Sequence, residues 1–450
     1  MSDAPSSLSP RTRSLNDKGP LPEGTIAVGI GLVLSGASAY GFLMIARRAL
    51  GGPDSNASLS LSLLWFLTFI LAPGFFLPIE QEVGRAVAHR RALGQGSLPV
   101  LRKAAVLGLG LAVILVTVIG ATSSVLVDEL FHGSWSLAFA LGLAVLGYGC
   151  QHFTRGVMSG NDEFARYGLI LGLDGLLRVF GAGVLAIASV EIVGWYGLLV
   201  GLPPAIAVVV AIRGKRSLLT PGPPASWAEL TPNLGWLLAG SVLGAALVNA
   251  GPLAAKVLAE ESQKELVNHF SAGVIISRVP LFLFQAVQAA LLPKLAKLAA
   301  TGAFDEFRAG FRKLMLVVIG VGVLGTVGAF IAGPTAVKLF DAELGRRDLT
   351  LLAVGSAIYM IAVAIAQALI ALRGHARVAA GWTAAMIGFV AATAIAGSDL
   401  LLRVEIGLIA GPAVGLVVFG WALRDSLEHG ARPDEDSLRE ALSELPLENP

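Results

Sequence analysis

Long apolar runs constrain this chain more than any other feature of its sequence. About 20 successive apolar residues cross the roughly 30 Å of hydrocarbon in a bilayer. Backbone groups in lipid must form hydrogen bonds within the protein, so runs this long and this uniformly apolar predict α-helices and not barrel strands. Twelve spans can be marked, at residues 24–46, 58–79, 104–127, 135–153, 167–189, 192–212, 233–255, 266–292, 314–332, 349–372, 378–396 and 405–423. The expected fold class is an all-α integral membrane protein.

The composition leads to the same class. Hydrophobic residues make up 55% of the 450 residues and charged residues 14%, whereas a soluble protein needs more polar surface. Cys150 is the one cysteine, which excludes an intramolecular disulfide and a cysteine-based metal site. Residues 1–23 are polar and lack the apolar core of a secretory signal. We expect them to form a disordered cytoplasmic segment.

The distribution of Lys and Arg predicts the orientation of the spans. With the N-terminus inside, the inner segments hold 23 of the 33 basic residues and the outer loops hold 8. The remaining two, Arg178 and Arg278, lie within spans. Because inner loops of membrane proteins are enriched in basic residues, both termini are expected to be cytoplasmic. The outer loops are short, at most about 16 residues.

An internal repeat is visible at the ends of the spans. "FFLPIEQEVGRAVAHRRALGQG", from Phe75, follows span 2, and "ALLPKLAKLAATGAFDEFRAG", from Ala290, follows span 8. Each has Leu-Pro at the membrane exit and then a basic helical linker. The order of such pairs predicts two six-helix halves in parallel repeat, with chance similarity among apolar segments as the alternative. The predicted domains are an N-lobe (24–215), a cytoplasmic linker (216–232), a C-lobe (233–423) and an acidic cytoplasmic tail (424–450).

Three charges deep within the spans are the main functional signal. Asp174 and Arg178 are four residues apart on one helix face and can pair, whereas Arg278 has no acidic residue within a helical turn. A charge at mid-bilayer costs several kcal/mol, so helices that keep one bury it in a bundle interior or a wet cavity. Arg178 and Arg278 are expected about 16 Å and about 18 Å from the ends at which their spans enter.

Two interpretations of these charges remain open. The arginines can face a cavity between the halves and attract an anion such as phosphate, which the planar guanidinium binds through two hydrogen bonds. Alternatively, Asp174 and Arg178 form a neutral structural pair, and Arg278 reaches the membrane surface or pairs with another helix. Asn249, Gln285 and Gln288 can bond to sugar hydroxyls or join helix to helix. These six residues form the candidate substrate-binding set.

Several segments resemble a known superfamily. They are "RRALGGPDS" (Arg47–Ser55) after span 1, "LPIEQEVGRAVAHR" after span 2, "RGVMSGNDEFARYG" after span 4, "SRVPLFLFQAVQAALLPKLAKLA" in span 8 and "LRGHARVAAG" after span 10. The combination resembles the multidrug/oligosaccharidyl-lipid/polysaccharide (MOP) exporter superfamily, specifically its polysaccharide, O-antigen-type flippase branch. The resemblance implies two six-helix lobes around a central cavity that opens alternately to each side. It also implies that cationic cavity residues meet the anionic part of the substrate, and here only Arg178 and Arg278 match.

The expected function is a flippase that moves polyprenyl-pyrophosphate-linked oligosaccharide across the bacterial inner membrane. Its expected partners are that lipid-linked oligosaccharide, membrane lipid and other proteins of polysaccharide assembly, with no nucleic acid. The first span has no charge before Arg47, which argues against lipid II as cargo, because related lipid II flippases have an arginine there. No enzymatic activity, metal or cofactor is expected, since the six histidines are scattered and no P-loop occurs.

Two alternatives belong to other classes of function. A cation-coupled drug or metabolite antiporter of the same superfamily needs a carboxylate that titrates in the cavity, and Asp174 is the one deep candidate. A membrane glycan polymerase or ligase needs sizeable outer loops that carry catalytic residues, and the short loops argue against it.

Overall fold

The structure is a computed structural model that describes residues 25–230, 233–281, 284, 298–299 and 303–428. The predictions for the N-terminal segment, for residues 429–450 of the acidic tail, for Gln285 and for Gln288 lie outside the described residues, and residues 424–428 belong to the last helix. The long helices are α1 (Thr25–Ala49), α2 (Asn56–Ala92), α3 (Leu98–Ala121), α4 (Trp135–Gly160), α5 (Phe164–Ile187), α6 (Val193–Ile212), α7 (Leu234–Leu258), α8 (Lys264–Ser277), α9 (Phe304–Val337), α10 (Arg346–Ala371), α11 (His375–Ile395) and α12 (Leu400–Glu428).

These helices confirm the predicted all-α membrane fold. Eleven of them are long and apolar enough to cross a bilayer, and the described part of the chain contains no strand. The predicted limits of spans 2 and 9 are too short, since α2 continues to Ala92 and α9 begins at Phe304. Hydropathy detects only the part of a helix that lies in lipid, whereas these two helices continue beyond it through polar and basic residues.

The helices pack in a pattern that recurs six helices later. In the first half, α1–α6, α1 packs on α5, α2 on α4 and α4 on α6. In the second half, α7–α12, the corresponding pairs are α7 with α11, α8 with α10 and α10 with α12. The two halves meet mainly along α2 and α7. The end of the bundle where α1 meets α2 is called the α1–α2 end below, and the opposite end the α2–α3 end.

Large apolar side chains cover much of the outer surface. Phe180, Leu324 and Trp421, for example, are each about 70% exposed, at 68%, 73% and 70%. Apolar surface of this extent would drive a soluble protein to aggregate, but in a bilayer it lies against lipid tails. The polar side chains of the spans are mostly buried, which is the arrangement that a membrane solvent requires.

The connection between the halves is fixed to the first half. The buried Arg90 guanidinium at the end of α2 donates to Glu229 Oε2 at 2.7 Å and to the Pro223 carbonyl at 2.9 Å. The hydrogen bond from Arg90 holds the pKa of Glu229 below its usual range. Residues 220–229 therefore pack against α2 and do not form a flexible linker between the halves.

Candidate functional site

The local sequence around Arg278 places this residue at a break in its helix. Pro280 lacks a backbone N–H, so it cannot donate to the Ile276 carbonyl one turn earlier, and regular α8 ends at Ser277. Arg278 is the next residue, and its backbone N–H donates to the carbonyl oxygens of Ile275 and Ile276. It lies fourteen residues from Lys264, the first residue of α8, or about 21 Å along the helix axis.

A second proline supplies a partner for the Arg278 guanidinium. Pro252 lies inside α7 and, for want of an N–H, leaves the Val248 carbonyl without its helical donor. Arg278 Nη2 donates to this carbonyl, and Nη1 donates to Asn249 Oδ1 at 2.8 Å. The guanidinium is thus held by two acceptors on adjacent residues of α7.

A third proline connects Asn249 to the other half. Pro73 inside α2 leaves the Phe69 carbonyl free, and Asn249 Nδ2 donates to that oxygen at 3.2 Å. The same nitrogen donates to Ala245 in its own helix at 2.8 Å. Of the two roles predicted for Asn249, the structure shows the helix-to-helix one, and it connects α2, α7 and Arg278.

Arg278 lines a small cavity in the second half of the bundle. The cavity has a volume of about 20 Å³, room for a water-sized group, and its polar lining is Ser277, Arg278, Ser356 and Tyr359. The guanidinium also lies 5.2 Å from the centre of the Phe66 ring of α2. Among the described residues no carboxylate pairs with Arg278, so the nearby acceptors are neutral.

Arg178 is surrounded by residues of the first half. Its Nη2 donates to Asp174 Oδ1 at 2.6 Å and to the Tyr148 hydroxyl at 2.6 Å, and its guanidinium lies 5.2 Å from the Trp65 ring. Arg178 is 1% exposed and Asp174 is 3% exposed. The two side chains are therefore buried from solvent, and their charges offset each other in this conformation. This is the neutral structural pair that the sequence offered as an alternative.

The two arginines reach the same helix but not the same cavity. They lie over Trp65 and Phe66, consecutive residues of α2, which agrees with the similar depth predicted for them. The cavity at Arg278 is lined from α7, α8, α10 and α12, and Arg178 is not among its lining residues. Both guanidinium groups therefore lie at the same turn of α2, each over a different ring of that helix.

Sequence reasoning missed a buried arginine at the α1–α2 end. Arg47 was expected in a loop, yet it lies in α1 and is 0% exposed. It donates to Asn268 Oδ1 of α8 at 2.6 Å and to Ser62 Oγ of α2 at 3.0 Å. Asn268 in turn donates to the Pro53 carbonyl at 2.8 Å. This cluster joins the two halves at the α1–α2 end. The sequence did not indicate it, because Arg47 and Arg48 simply follow an apolar run.

A second missed group lies toward the α2–α3 end of the first half. Buried Glu80 of α2 accepts from Arg155 Nε at 3.0 Å and from the Tyr167 hydroxyl at 2.7 Å, and it lies 2.8 Å from His152 Nδ1. Span 2 was expected to end at residue 79, so Glu80 was assigned to a linker. The helix continues instead, and the carboxylate joins α2, α4 and α5.

Comparisons with other proteins give relatives along nearly the whole chain. No family model matches the sequence. The uncharacterized protein Rv1510 of Mycobacterium tuberculosis is 28% identical over 432 residues, which cover 90% of this chain and 93% of that protein. The uncharacterized protein Rv3630 of the same organism is 27% identical over 449 residues, covering 93% of this chain and 94% of that protein.

Solved structures with the same architecture are MATE transporters. A crystal structure of MATE in the straight conformation has a TM-score of 0.70 and 15% identity, and covers 90% of this chain and 95% of that one. Inward-facing and outward-facing conformations of a multidrug resistance MATE family transporter of the MOP superfamily have TM-scores of 0.66 and 0.69, each at 14% identity. They cover 91% and 92% of this chain, and 99% and 97% of theirs. The chain therefore has the MATE fold of a multi-pass membrane protein.

Proposed function

We propose that this chain is an alternating-access transporter of the bacterial inner membrane that moves polyprenyl-pyrophosphate-linked oligosaccharide between leaflets for cell-surface polysaccharide assembly. In this proposal both termini are cytoplasmic and the α1–α2 end faces outward. The diphosphate of the cargo contacts Arg278, the glycan occupies the space between the halves, and the polyprenyl tail remains in lipid. Other proteins of polysaccharide assembly supply and receive the cargo.

The observation that carries the proposal is the chemistry around Arg278. The guanidinium is deep in the bundle, lines a cavity, and has only neutral acceptors among the described residues. An arginine in this position favours an anion that can accept two parallel hydrogen bonds, which a phosphate does. Asn249 and Val248 occupy its donors in the enclosed state, and an entering diphosphate would replace them. The MATE fold supports alternating access as the way in which such an anion would cross.

A cation-coupled antiporter of amphipathic compounds is the second candidate, and the MATE fold favours it equally. The carboxylate on which this alternative depended is Asp174, and Asp174 is bonded to Arg178. The Arg178 guanidinium engages this carboxylate within the first half, and Asp174 does not line the cavity at Arg278. This observation favours the anionic cargo over an antiporter that depends on Asp174.

The test is binding of undecaprenyl diphosphate by the full chain in nanodiscs, compared with the uncharged alcohol undecaprenol. The wild type should bind the diphosphate more tightly, and Arg278→Ala should weaken it roughly 10- to 100-fold, the value of hydrogen bonds to a charged group. Arg424→Ala, which removes an exposed arginine paired with Glu428, is the matched control and should leave binding unchanged. Equal affinity of the wild type for diphosphate and alcohol would reject the proposed function.

A further inference from the structure

Arg47 is a buried arginine that connects the two halves through neutral groups. It lies in the last turn of α1 and is 0% exposed. Its Nη1 donates to Ser62 Oγ of α2 and to Asn268 Oδ1 of α8, and its Nη2 donates to the Asn268 carbonyl at 3.3 Å. The carboxylate of Asp341 accepts from the neighbouring Arg48 instead, at 2.8 Å. No carboxylate of the described residues forms an ion pair with Arg47, so its charge is not neutralised.

One edge of the Arg47 guanidinium makes few hydrogen bonds. Its Nε has no partner in the described part of the chain, although the atom is buried. Nη2, on the same edge, has only the 3.3 Å bond to Asn268. Nε and Nη2 together form a pair of parallel donors that a phosphate can accept with two oxygens. A buried donor without an acceptor costs free energy, so an anion at this edge would stabilise the site.

Separation of the halves would remove most of the acceptors of Arg47. Asn268 belongs to the second half, whereas Arg47 and Ser62 belong to the first. When α8 moves away from α1 and α2, the guanidinium loses Asn268 and keeps Ser62. Ser58 is one turn from Ser62 on the same face of α2 and is also 0% exposed while the end is closed. The opened end would therefore present an arginine beside two hydroxyl groups, a set of side chains that suits a phosphate.

A seam between α1 and α8 leads from Arg278 to Arg47. The Tyr40 hydroxyl of α1 donates to the Ile275 carbonyl of α8 at 3.0 Å. Tyr40 is seven residues before Arg47, and Asn268 is seven residues before Ile275, so the two contacts lie two helical turns, or about 10 Å, apart. Arg278 follows Ile275 by three residues. A head group that leaves Arg278 toward the α1–α2 end would pass along this seam and reach Arg47.

We propose that Arg47, with Ser58 and Ser62, is a second anion site, which opens with the α1–α2 end and binds the diphosphate group of the cargo before release. Asn268 occupies the guanidinium while the end is closed, and the diphosphate replaces it when the end opens. Because the anion binds only the open state, it must stabilise that state relative to the closed one. The site is separate from Arg278, and only the identity of its anion rests on the proposed function.

The first experiment uses inorganic pyrophosphate, which has no lipid tail. Spin labels at Glu129→Cys in the first half and Thr335→Cys in the second, both exposed positions, report the width of the α1–α2 end in a Cys150→Ala background in nanodiscs. Saturating pyrophosphate should raise the ratio of open to closed protein roughly 10- to 100-fold, the value of hydrogen bonds to a charged group. Double electron–electron resonance would detect this rise as a shift to longer distances.

Sodium chloride at the same ionic strength is the solution control and should leave the distances unchanged. An equal shift with sodium chloride would show that salt only screens the exposed pair of Arg48 and Asp341. That result, or the absence of a shift with pyrophosphate, would overturn the anion site.

Two substitutions distinguish an anion site from a simple contact between the halves. Arg47→Gln removes the charge and should abolish the pyrophosphate shift. Asn268→Asp places a carboxylate where the present acceptor lies 2.6 Å from Arg47, and should keep the end closed with or without pyrophosphate. Asn268→Asp completes an ion pair, so it keeps the proposal testable if Arg47→Gln does not fold. A full shift in either variant would overturn the site.

The matched control variant is Arg346→Gln. Arg346 is an exposed arginine at the same end of the bundle and lies 5.1 Å from the Phe330 ring of its own half. Because it does not connect the two halves, Arg346→Gln should retain the full pyrophosphate shift. Loss of the shift in this variant would show that the anion acts through the general charge of this end and not through Arg47.

Undecaprenyl diphosphate, tested with the same labels, separates this site from the proposed function. Arg278→Ala should keep the pyrophosphate shift, since Arg278 is not part of the Arg47 site. If pyrophosphate opens the end through Arg47 but undecaprenyl diphosphate does not bind, the anion site stands and the proposed cargo is wrong. If undecaprenyl diphosphate binds through Arg278 but neither probe changes the distances, the proposed function stands and Arg47 is only a structural contact.

Discussion

The guanidinium of Arg278 donates to the side-chain oxygen of Asn249 at 2.8 Å, and the Asn249 amide nitrogen donates across the interface between the halves to the Phe69 carbonyl. One amide group thus orients the Arg278 guanidinium and also joins α7 to α2. An anion that replaces Asn249 at Arg278 would free the amide to turn. Under the proposed function, cargo binding and the contact between the halves would share a residue, which is the arrangement that alternating access needs.

Asn249→Asp should abolish diphosphate binding without unfolding the protein. The new carboxylate would pair with Arg278 at the position of the present 2.8 Å hydrogen bond and neutralise the site. Binding of undecaprenyl diphosphate should fall about as far as in Arg278→Ala. Ser241→Ala removes another bond from α7 to α2, that of Ser241 Oγ to the Pro73 carbonyl, and should leave binding intact. Binding retained by Asn249→Asp would show that the anion does not reach Arg278.

The Asp174–Arg178 pair is predicted to contribute to stability and not to anion binding. Removing one partner of a buried pair leaves the other charge uncompensated, at a cost of about 3–5 kcal/mol. Arg178→Ala should therefore lower the unfolding temperature sharply. The double variant Asp174→Leu/Arg178→Leu, which removes both charges, should recover most of the loss. Thermal unfolding in detergent measures both effects. A stable Arg178→Ala protein that no longer binds diphosphate would instead place Arg178 in the cargo site.

Asn268 is predicted to keep the α1–α2 end closed. Asn268→Ala deprives buried Arg47 of its 2.6 Å acceptor and loosens α8 from α1 and α2. The measurement is the rate of maleimide labelling of Ser58→Cys, a position that is 0% exposed, in a Cys150→Ala background. Labelling should be faster in Asn268→Ala. Ser271→Ala removes a buried hydroxyl that bonds only within its own helix and should leave the rate unchanged. Equal rates would show that the Arg47 cluster does not close this end.

His132, in the loop before α4, should make the protein less stable in mild acid. Burial, with Lys256 and Lys264 adding to it, lowers the pKa of His132 from its ordinary value of 6.5. The unfolded chain therefore takes up a proton at a higher pH than the folded one, and stability falls as the pH drops from about 6.5 toward the lower folded value. The glutamine of His132→Gln can still form a hydrogen bond with Ser60 but does not titrate. The stability of this variant should therefore decrease less in mild acid than that of the wild type. Melting curves between neutral and mildly acidic pH provide the measurement, and an unchanged pH profile in the variant would contradict it.

The sequence predicted the helices well because lipid imposes a simple rule on them. Any segment that crosses the bilayer must be long, apolar and internally bonded, and spans such as α3 and α5 satisfy that rule with little dependence on their neighbours. The prediction that Arg178 and Arg278 lie at similar depth rests on the same regularity, since each helix rises by a fixed amount per residue.

Side-chain partners across helices were not predictable in this way. Which helix faces Arg178 depends on the packing of α2, and the ring of Trp65 closes that site. Arg47 and Glu80 lie near the ends of apolar runs, where a charge can equally enter water or remain inside. The prolines did carry a usable signal. Pro73 and Pro252 mark carbonyls that lack a helical donor, and each is taken up by a residue of the candidate set, Asn249 or Arg278.

The consecutive positions of Trp65 and Phe66 have a mechanical consequence. Neighbouring side chains on a helix point about 100° apart, so the two rings look out from different sides of α2. A turn of α2 about its own axis would move both rings relative to the guanidinium groups that they contact. Such a rotation would change the surroundings of Arg178 and Arg278 together. A compound wedged beside this turn of α2 would act on both halves from a single position.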